Sequence, residues 1–198
     1  DKAEKFGKIV AGLLNDMRES NQRSTTGAER LRELSTALRT QSRIDPEITH
    51  DIAINDIVNE SVTLVAGRTK FFEVEVKLAD LPPISCYRSR VGQVLTNLLA
   101  NAADALNDKA ARIKNQDDKR FAGRIIISTK LQACKDQDGV VVIVSDNGDG
   151  VPEVIQKRIF EQFFTTKPAG VGTGLGLSMC ADIAKDHGGE LRVHDDPD

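Results

Sequence analysis

The sequence predicts an α+β chain: a two-layer α/β sandwich in which helices cover one face of a mixed sheet, preceded by one long helix. Three observations carry that expectation. Apolar residues recur at helical spacing over residues 1 to 43, β-rich runs start at Phe72, Ile125 and Val140, and helical patterns fall between those runs. Strands and helices that interleave in this order pack as a sheet layered with helices.

The first element has apolar positions at Phe6, Ile9, Val10, Leu13, Leu14 and Met17, and again at Ala28, Leu31, Leu34 and Leu38. Thr26 with Glu29 has the form of a capping box beside Gly27, which would permit a break. Against a break, Val10, Met17, Ser24, Leu31 and Leu38 keep a seven-residue phase, as one uninterrupted helix of about 60 Å requires. So narrow a seam needs partner helices, either in an intramolecular bundle or across a homodimer. Pro46 ends the helix, which sets the expected domains at 1–45 and 46–198. Ile52, Ile54, Ile57, Val58, Val62 and Val65 then support a helix closing at Gly67.

From Phe72, Glu-Val-Glu-Val-Lys-Leu alternates as a half-buried strand does, and Ile125 to Leu131 and Val140 to Ser145 are further strands. Helices are expected at Ser89 to Leu106, Pro152 to Phe163 and Leu175 to His187. The polar stretch Asn107 to Gly123 reads as a solvated loop or an extended helix end.

A net charge of -3, no Trp and a single Tyr give neither a basic footprint nor stacking platforms, so nucleic acid is not an expected partner. No apolar run approaches the roughly 18 to 20 residues that span a bilayer, so this stretch makes no direct membrane contact and is expected in the cytoplasm, alone or as the inner part of a membrane-bound sensor. Cys86, Cys134 and Cys180 are odd in number and far apart, as reduced core thiols are.

Four elements point to chemistry. On the helix around Val91 to Leu106, Gln93, Asn97, Asn101 and Asp104 form a narrow polar stripe opposite the apolar face. Such a stripe is most often a solvent face, yet stacked amides beside one carboxylate also suit a hard cation such as Mg²⁺. Second, the strand Val140 to Ser145 runs into Asp146-Asn-Gly148-Asp-Gly150-Val151. A carboxylate at a strand end can accept from an exocyclic amine, and glycines let backbone approach a flat ring; alone, the string would read as a plain turn. Third, Gly170-Val-Gly172-Thr-Gly174-Leu-Gly176 frees backbone amides at a helix start, an anion site for phosphates without the Gly-Lys-Ser/Thr of a P-loop. Between the last two lies Phe160-Glu-Gln-Phe-Phe164-Thr-Thr166-Lys167, whose aromatics could pin a segment that brings Lys167 to a phosphate.

In this order the four elements resemble the N, G1, F and G2 boxes of the GHKL superfamily, and FEQFFTTKP and GTGLGLS resemble those of bacterial sensor histidine kinases. The likeness runs from about Ile52 to the C-terminus, and Glu29 to Asp45 resembles the end of the second helix of a kinase dimerisation hairpin. The resemblance implies ATP and Mg²⁺ as ligands, with Asn101 the main Mg²⁺ ligand and Asn97 supporting it. Asp146 would bond the adenine amino group, Gly148 and Gly150 would shape the base pocket, and Thr173 would act at the adenine through water. Lys167 would contact the terminal phosphates and Gly172, Gly174, Leu175 and Gly176 would wrap them. Asp104, Val151, Phe164 and Thr166 complete the implied nucleotide site, and Phe160, Phe163 and Phe164 would anchor the lid over it. Asp149 departs from the Pro or small residue common in the family.

ATP-hydrolysing members of the superfamily place a Glu four residues before the metal-binding Asn. Here Asn97 stands there, and an amide is no general base, so phosphoryl transfer is expected rather than hydrolysis, with Asn97, Asn101 and Lys167 as the catalytic set. The implied acceptor is a His on the first hairpin helix, then an Asp on a response-regulator receiver domain. None of the three His has the acceptor pattern: His187 precedes Gly188-Gly189 at a helix end, His194 lies on the last strand, and His50 follows the Pro46 break. The expectation is therefore a piece of a longer, homodimeric protein whose first hairpin helix lies upstream of Asp1 and whose final strand is cut, unable to label itself. A nucleotide-binding pseudo-kinase and a serine-directed kinase of the same superfamily are the alternatives.

Overall fold

The computed structural model describes residues 47–117, 121–133, 138–167 and 172–194, together with residues 4, 6, 10, 12–18, 20, 21, 24 and 27. Two compact units emerge: Asp45–Glu161 with Leu177–Asp198, and Asp1–Ile44 with Gln162–Gly176. The Thr26/Glu29 capping box, Ala28, Leu31, Leu34, Leu38, Pro46 and Cys134 lie outside the described residues.

In the first of these units the order is β1 (Thr49–Ile52), α1 (Ile54–Thr69), β2 (Glu73–Lys77), β3 (Ile84–Cys86), α2 (Arg88–Asp117), β4 (Arg124–Ala133), β5 (Asp138–Asp146), α3 (Glu153–Gln156), a 3-10 turn (Arg158–Phe160) and α4 (Gly176–Asp186). β4 is central, parallel to β2 and antiparallel to β5, so the sheet is mixed as expected. On β4, Ile125, Ile127 and Thr129 are buried while their neighbours are not, the period-two signature of a strand covered on one face. That face meets α1 and α2. Ile54, Ile57, Val58, Ser61 and Val65 form the inward stripe of α1, and Leu95, Leu99, Ala102, Ala103 and Leu106 that of α2. A polar triangle ties the layers: Asn55 Nδ2 donates to the Ala79 carbonyl (2.9 Å), Ala79 N–H donates to Thr129 Oγ1 (3.0 Å), and Thr129 Oγ1 donates to Asn55 Oδ1 (3.1 Å). Each group satisfies another, so a buried hydroxyl costs little here.

Three sequence expectations need correction. Pro152 to Phe163 is not one helix: it forms one turn at Glu153–Gln156, then the 3-10 turn, and becomes extended at Glu161. Neither piece has a side-chain cap and Val154 is 85% exposed, so nothing offsets the cost of starting a helix. His194 lies on no strand, since residues 189–194 are irregular. His50 sits in β1 rather than a linker, paired against β3 with Nδ1 2.8 Å from Ser85 Oγ. Of the two readings of Asn107 to Gly123, the extended helix end holds as far as Asp117.

The described residues between 4 and 27 are helical, and Phe6, Val10, Leu13, Leu14 and Met17 are exposed. No described helix is long and apolar enough to cross a membrane.

Candidate functional site

The polar stripe on α2 divides along its length. Its first turns face α4: Gln93 Nε2 is 3.2 Å from Met179 Sδ, and Asn97 Nδ2 is 3.7 Å from Cys180 Sγ. Burial pushes the Cys180 thiol up to about 11, as befits a reduced core group; Cys86 is likewise buried and free. Asn101 and Asp104 follow, both half-buried. The contact of Asn97 uses its nitrogen and leaves its amide oxygen for a ligand. No group of three His, Cys, Asp or Glu that could hold a metal occurs among the described residues. A donor set this sparse fits a hard cation that arrives with phosphate and water and takes one or two protein oxygens.

Past Asp104 the same helix edge continues as Ala105, Lys109 and Arg112, spaced four and three residues apart and therefore stacked. This edge faces the loop that leaves β5. Asp146 is the last residue of that strand and accepts the Gly148 N–H at 2.8 Å. A Cβ at Gly148 would stand 2.5 Å from Asp146 Oδ1 and 3.3 Å from Ala105 Cβ, so a side chain here would push the carboxylate aside. Gly150, with φ of 70°, then turns the chain in the left-handed region. Val151 is half-buried, and its carbonyl accepts from Gln156 Nε2 at 3.0 Å. Burial raises the Asp146 carboxyl above its ordinary value; the Gly148 N–H and the Lys109 charge pull the other way. A partly desolvated carboxylate that still opens to solvent at a strand end, beside a glycine pressed on a helix, can take an amine donor from a flat ring.

Residues 162–176 belong to the other unit. Phe163 N–H donates to the Gly174 carbonyl at 2.9 Å, and both residues have positive φ, 66° and 68°. A Cβ at Gly174 would collide with the Phe163 main chain, and one at Gly172 with Thr165 Oγ1. Thr165 and Thr173 each accept an N–H two residues on, from Lys167 (3.1 Å) and Leu175 (3.4 Å). The two arms of the segment thus run side by side, with Thr166 on one and Gly176 opening α4 on the other. Phe164 is half-buried, but the ring of Phe163 is 68% exposed. Phe163 therefore ties the segment through its backbone and not as an aromatic anchor, which corrects the sequence expectation.

No histidine among the described residues looks like a phosphoryl acceptor. His187 Nε2 accepts the Tyr87 N–H (3.1 Å) and its Nδ1 donates to the Ile183 carbonyl (2.7 Å), so both nitrogens join the start of α2 to the end of α4. The contacts of Lys109 and Arg112 are not among the sequence expectations, being made to residues more than thirty positions away.

Comparison with known proteins agrees with this geometry. The family described as histidine kinase-, DNA gyrase B- and HSP90-like ATPase matches residues 86–198. The C4-dicarboxylate transport sensor protein DctB of Pseudomonas aeruginosa is 29% identical over 168 residues, 83% of this chain and 25% of that protein. The sensory histidine kinase/phosphatase NtrB of Azospirillum brasilense is 35% identical over 120 residues, 59% of this chain and 28% of that one. This chain thus spans about a quarter of the length of these relatives. The solved catalytic domain of histidine kinase ThkA, in a nucleotide-free form, is similar with a TM-score of 0.60 at 28% identity, over 76% of this chain and 90% of that one. The chain thus belongs to the histidine kinase-, DNA gyrase B- and HSP90-like ATPase family, as an ATP-binding catalytic domain of the sensor histidine kinase kind.

Proposed function

We infer that this chain holds ATP with Mg²⁺ and directs the γ-phosphoryl group to a histidine on a dimerisation helix, from which an aspartate of a response-regulator receiver domain takes it. The observation that carries the reading is the Asp146 carboxylate, partly desolvated yet open to solvent, set beside Gly148 where that glycine presses on the helix that also bears Asn97 and Asn101. When bound, the magnesium nucleotide supplies an activated phosphoryl group whose charge is partly neutralised. The protein's own part is positioning. Asp146 orients the base, and Asn101 with Asn97 offers amide oxygens to the cation. The resemblance gives Lys167 and the amides of Gly172, Gly174, Leu175 and Gly176 to the phosphates, with Asp104, Gly150, Val151, Phe164, Thr166 and Thr173 around the nucleotide. Asn97 in place of a carboxylate leaves no base there to activate water, which favours transfer over hydrolysis.

The exposed seam Phe6, Val10, Leu13, Leu14 and Met17 supports a homodimer through the N-terminal helix, since an apolar stripe on a helix is buried by another helix. Titration with ATP in the presence and absence of Mg²⁺ tests the site: binding should require the metal, and Asp146→Ala should weaken it by about a hundredfold, the worth of a desolvated charged hydrogen bond. Unchanged affinity in that variant would refute the assignment. With γ-labelled ATP the chain alone should stay unlabelled, whereas one extended upstream through a His-bearing helix should acquire acid-labile label. Acid-stable label on Ser or Thr would favour a serine-directed kinase, and binding without any transfer a pseudo-kinase.

A further inference from the structure

The first residues of the loop after β5 are held by several hydrogen bonds, and two of these come from one side chain. Asn147 N–H donates to the Arg124 carbonyl (3.2 Å), its Oδ1 accepts the Arg124 N–H (2.8 Å), and its Nδ2 donates to the Ala122 carbonyl (2.9 Å). Gly148 N–H goes to Asp146. The carbonyls of Asn147 and Gly148 both accept from Lys109 Nζ, at 2.6 and 2.8 Å. That ammonium also lies 5.0 Å from the centre of the Phe121 ring, which packs against the core and fixes where the charge sits. One helical turn on, Arg112 pairs with Asp149, the residue at which the loop departs from the usual family string.

We propose that Lys109 is a positioning residue for nucleotide recognition: it caps the Asn147 and Gly148 carbonyls and so holds the loop in the shape that presents Asp146 to the base, with Arg112 supporting it through Asp149. The proposal rests on the reading of this site as an ATP site and adds to it a pair of residues that touch no nucleotide. Its logic is geometric. Asn101, Ala105 and Lys109 succeed one another at intervals of four on a single helix edge, so the metal-facing amide and the loop clamp are fixed about 12 Å apart along one rod, at 1.5 Å per residue. Without the ammonium, both carbonyls must turn to water, and the loop loses its only described tie to α2 besides the Arg112 pair and the Gly148–Ala105 contact. The ammonium also helps to keep the neighbouring Asp146 ionised, against its burial.

The test uses the full chain and three readouts: the Kd for ATP with Mg²⁺, the melting temperature, and hydrogen exchange of the 147–150 amides in the absence of nucleotide. Lys109→Ala should weaken ATP binding about tenfold and speed loop exchange, while global melting moves little, because the two hydrogen bonds it removes are local and part-exposed. Lys109→Arg, which keeps a donor in reach of both carbonyls, should recover most of the affinity and of the protection. Arg112→Ala should show a smaller change of the same kind. Wild-type Kd and loop exchange in Lys109→Ala would overturn the proposal. So would a loss of affinity with loop exchange unaltered, which would make Lys109 a direct nucleotide contact, or a fall in affinity matched by general unfolding. Should the wild-type chain bind no ATP, the functional reading fails, and loop exchange in the apo protein still decides whether Lys109 is the clamp.

Discussion

The loop after β5 and the segment 162–176 are both short, rich in glycine and expected at the same ligand, yet they are held by different means. Around Asp146 the fixing groups are side chains: Asn147 bonds the Arg124 N–H and the Ala122 carbonyl, Lys109 bonds two carbonyls and Arg112 pairs with Asp149. In the segment 162–176, one backbone bond joins Phe163 and Gly174 in positive φ, and two threonine hydroxyls close turns on amides two residues away. A loop braced from a helix keeps its shape without ligand. The segment 162–176 instead draws its described turns from hydrogen bonds between its own two arms.

The contrast predicts different responses to the same substitution. Gly148→Ala should act on affinity, because the new Cβ would meet Asp146 Oδ1 at 2.5 Å with Ala105 behind it and turn the carboxylate out of place. ATP affinity should drop about a hundredfold, comparable with losing the Asp146 bond itself. Gly174→Ala puts a Cβ against the Phe163 main chain at a φ of 68°, a strain of about 1 to 2 kcal/mol. The clash with that main chain at 2.4 Å adds to the strain, so the melting temperature should fall further in this variant than in Gly148→Ala. Titration and melting of both variants check the pair. A melting temperature for Gly174→Ala no lower than for Gly148→Ala would mean that the Phe163 backbone yields to the new Cβ.

Much of this arrangement is legible in the order of residues alone. The buried face of β4, the inward stripes of α1 and α2 and the mixed sheet follow from periodicity, because each buries one face and the pattern of apolar residues records which. Asp146, Gly148 and the glycines before α4 are legible because their chemistry is local to a few residues. What stays hidden is long-range. Nothing in a polar stretch marks Lys109 as a partner of residues 38 and 39 positions away, nor Asn55 as a partner of Thr129, until the sheet brings them together. The short strands β1 and β3 stay hidden for a related reason, being four and three residues long and paired across a helix and a strand. The break in the expected helix at 152–163 reflects tertiary context overriding a weak periodic signal.

The smallest predicted effect separates the two regions by charge. Burial raises the Asp146 carboxyl above its ordinary value of 3.8, so the folded chain holds that proton more tightly than the unfolded one. Stability should therefore be insensitive to this group below the ordinary carboxylate range, decline as pH rises from there through the raised folded-state value, and level off above it. Asp146→Asn removes the titration and keeps an oxygen for the Gly148 N–H. It should melt higher than wild type at neutral pH, and the gap should close on acidification, while ATP binding is lost because the amide no longer offers a charged acceptor. Residues 162–176 contain no carboxylate, so Lys167→Met should leave that pH dependence as it is in wild type. Melts of the three proteins from about pH 4 to about pH 8 read the difference directly. A gap between Asp146→Asn and wild type that is constant in pH would mean that packing, not a desolvated charge, sets the cost of keeping this loop ready for its ligand.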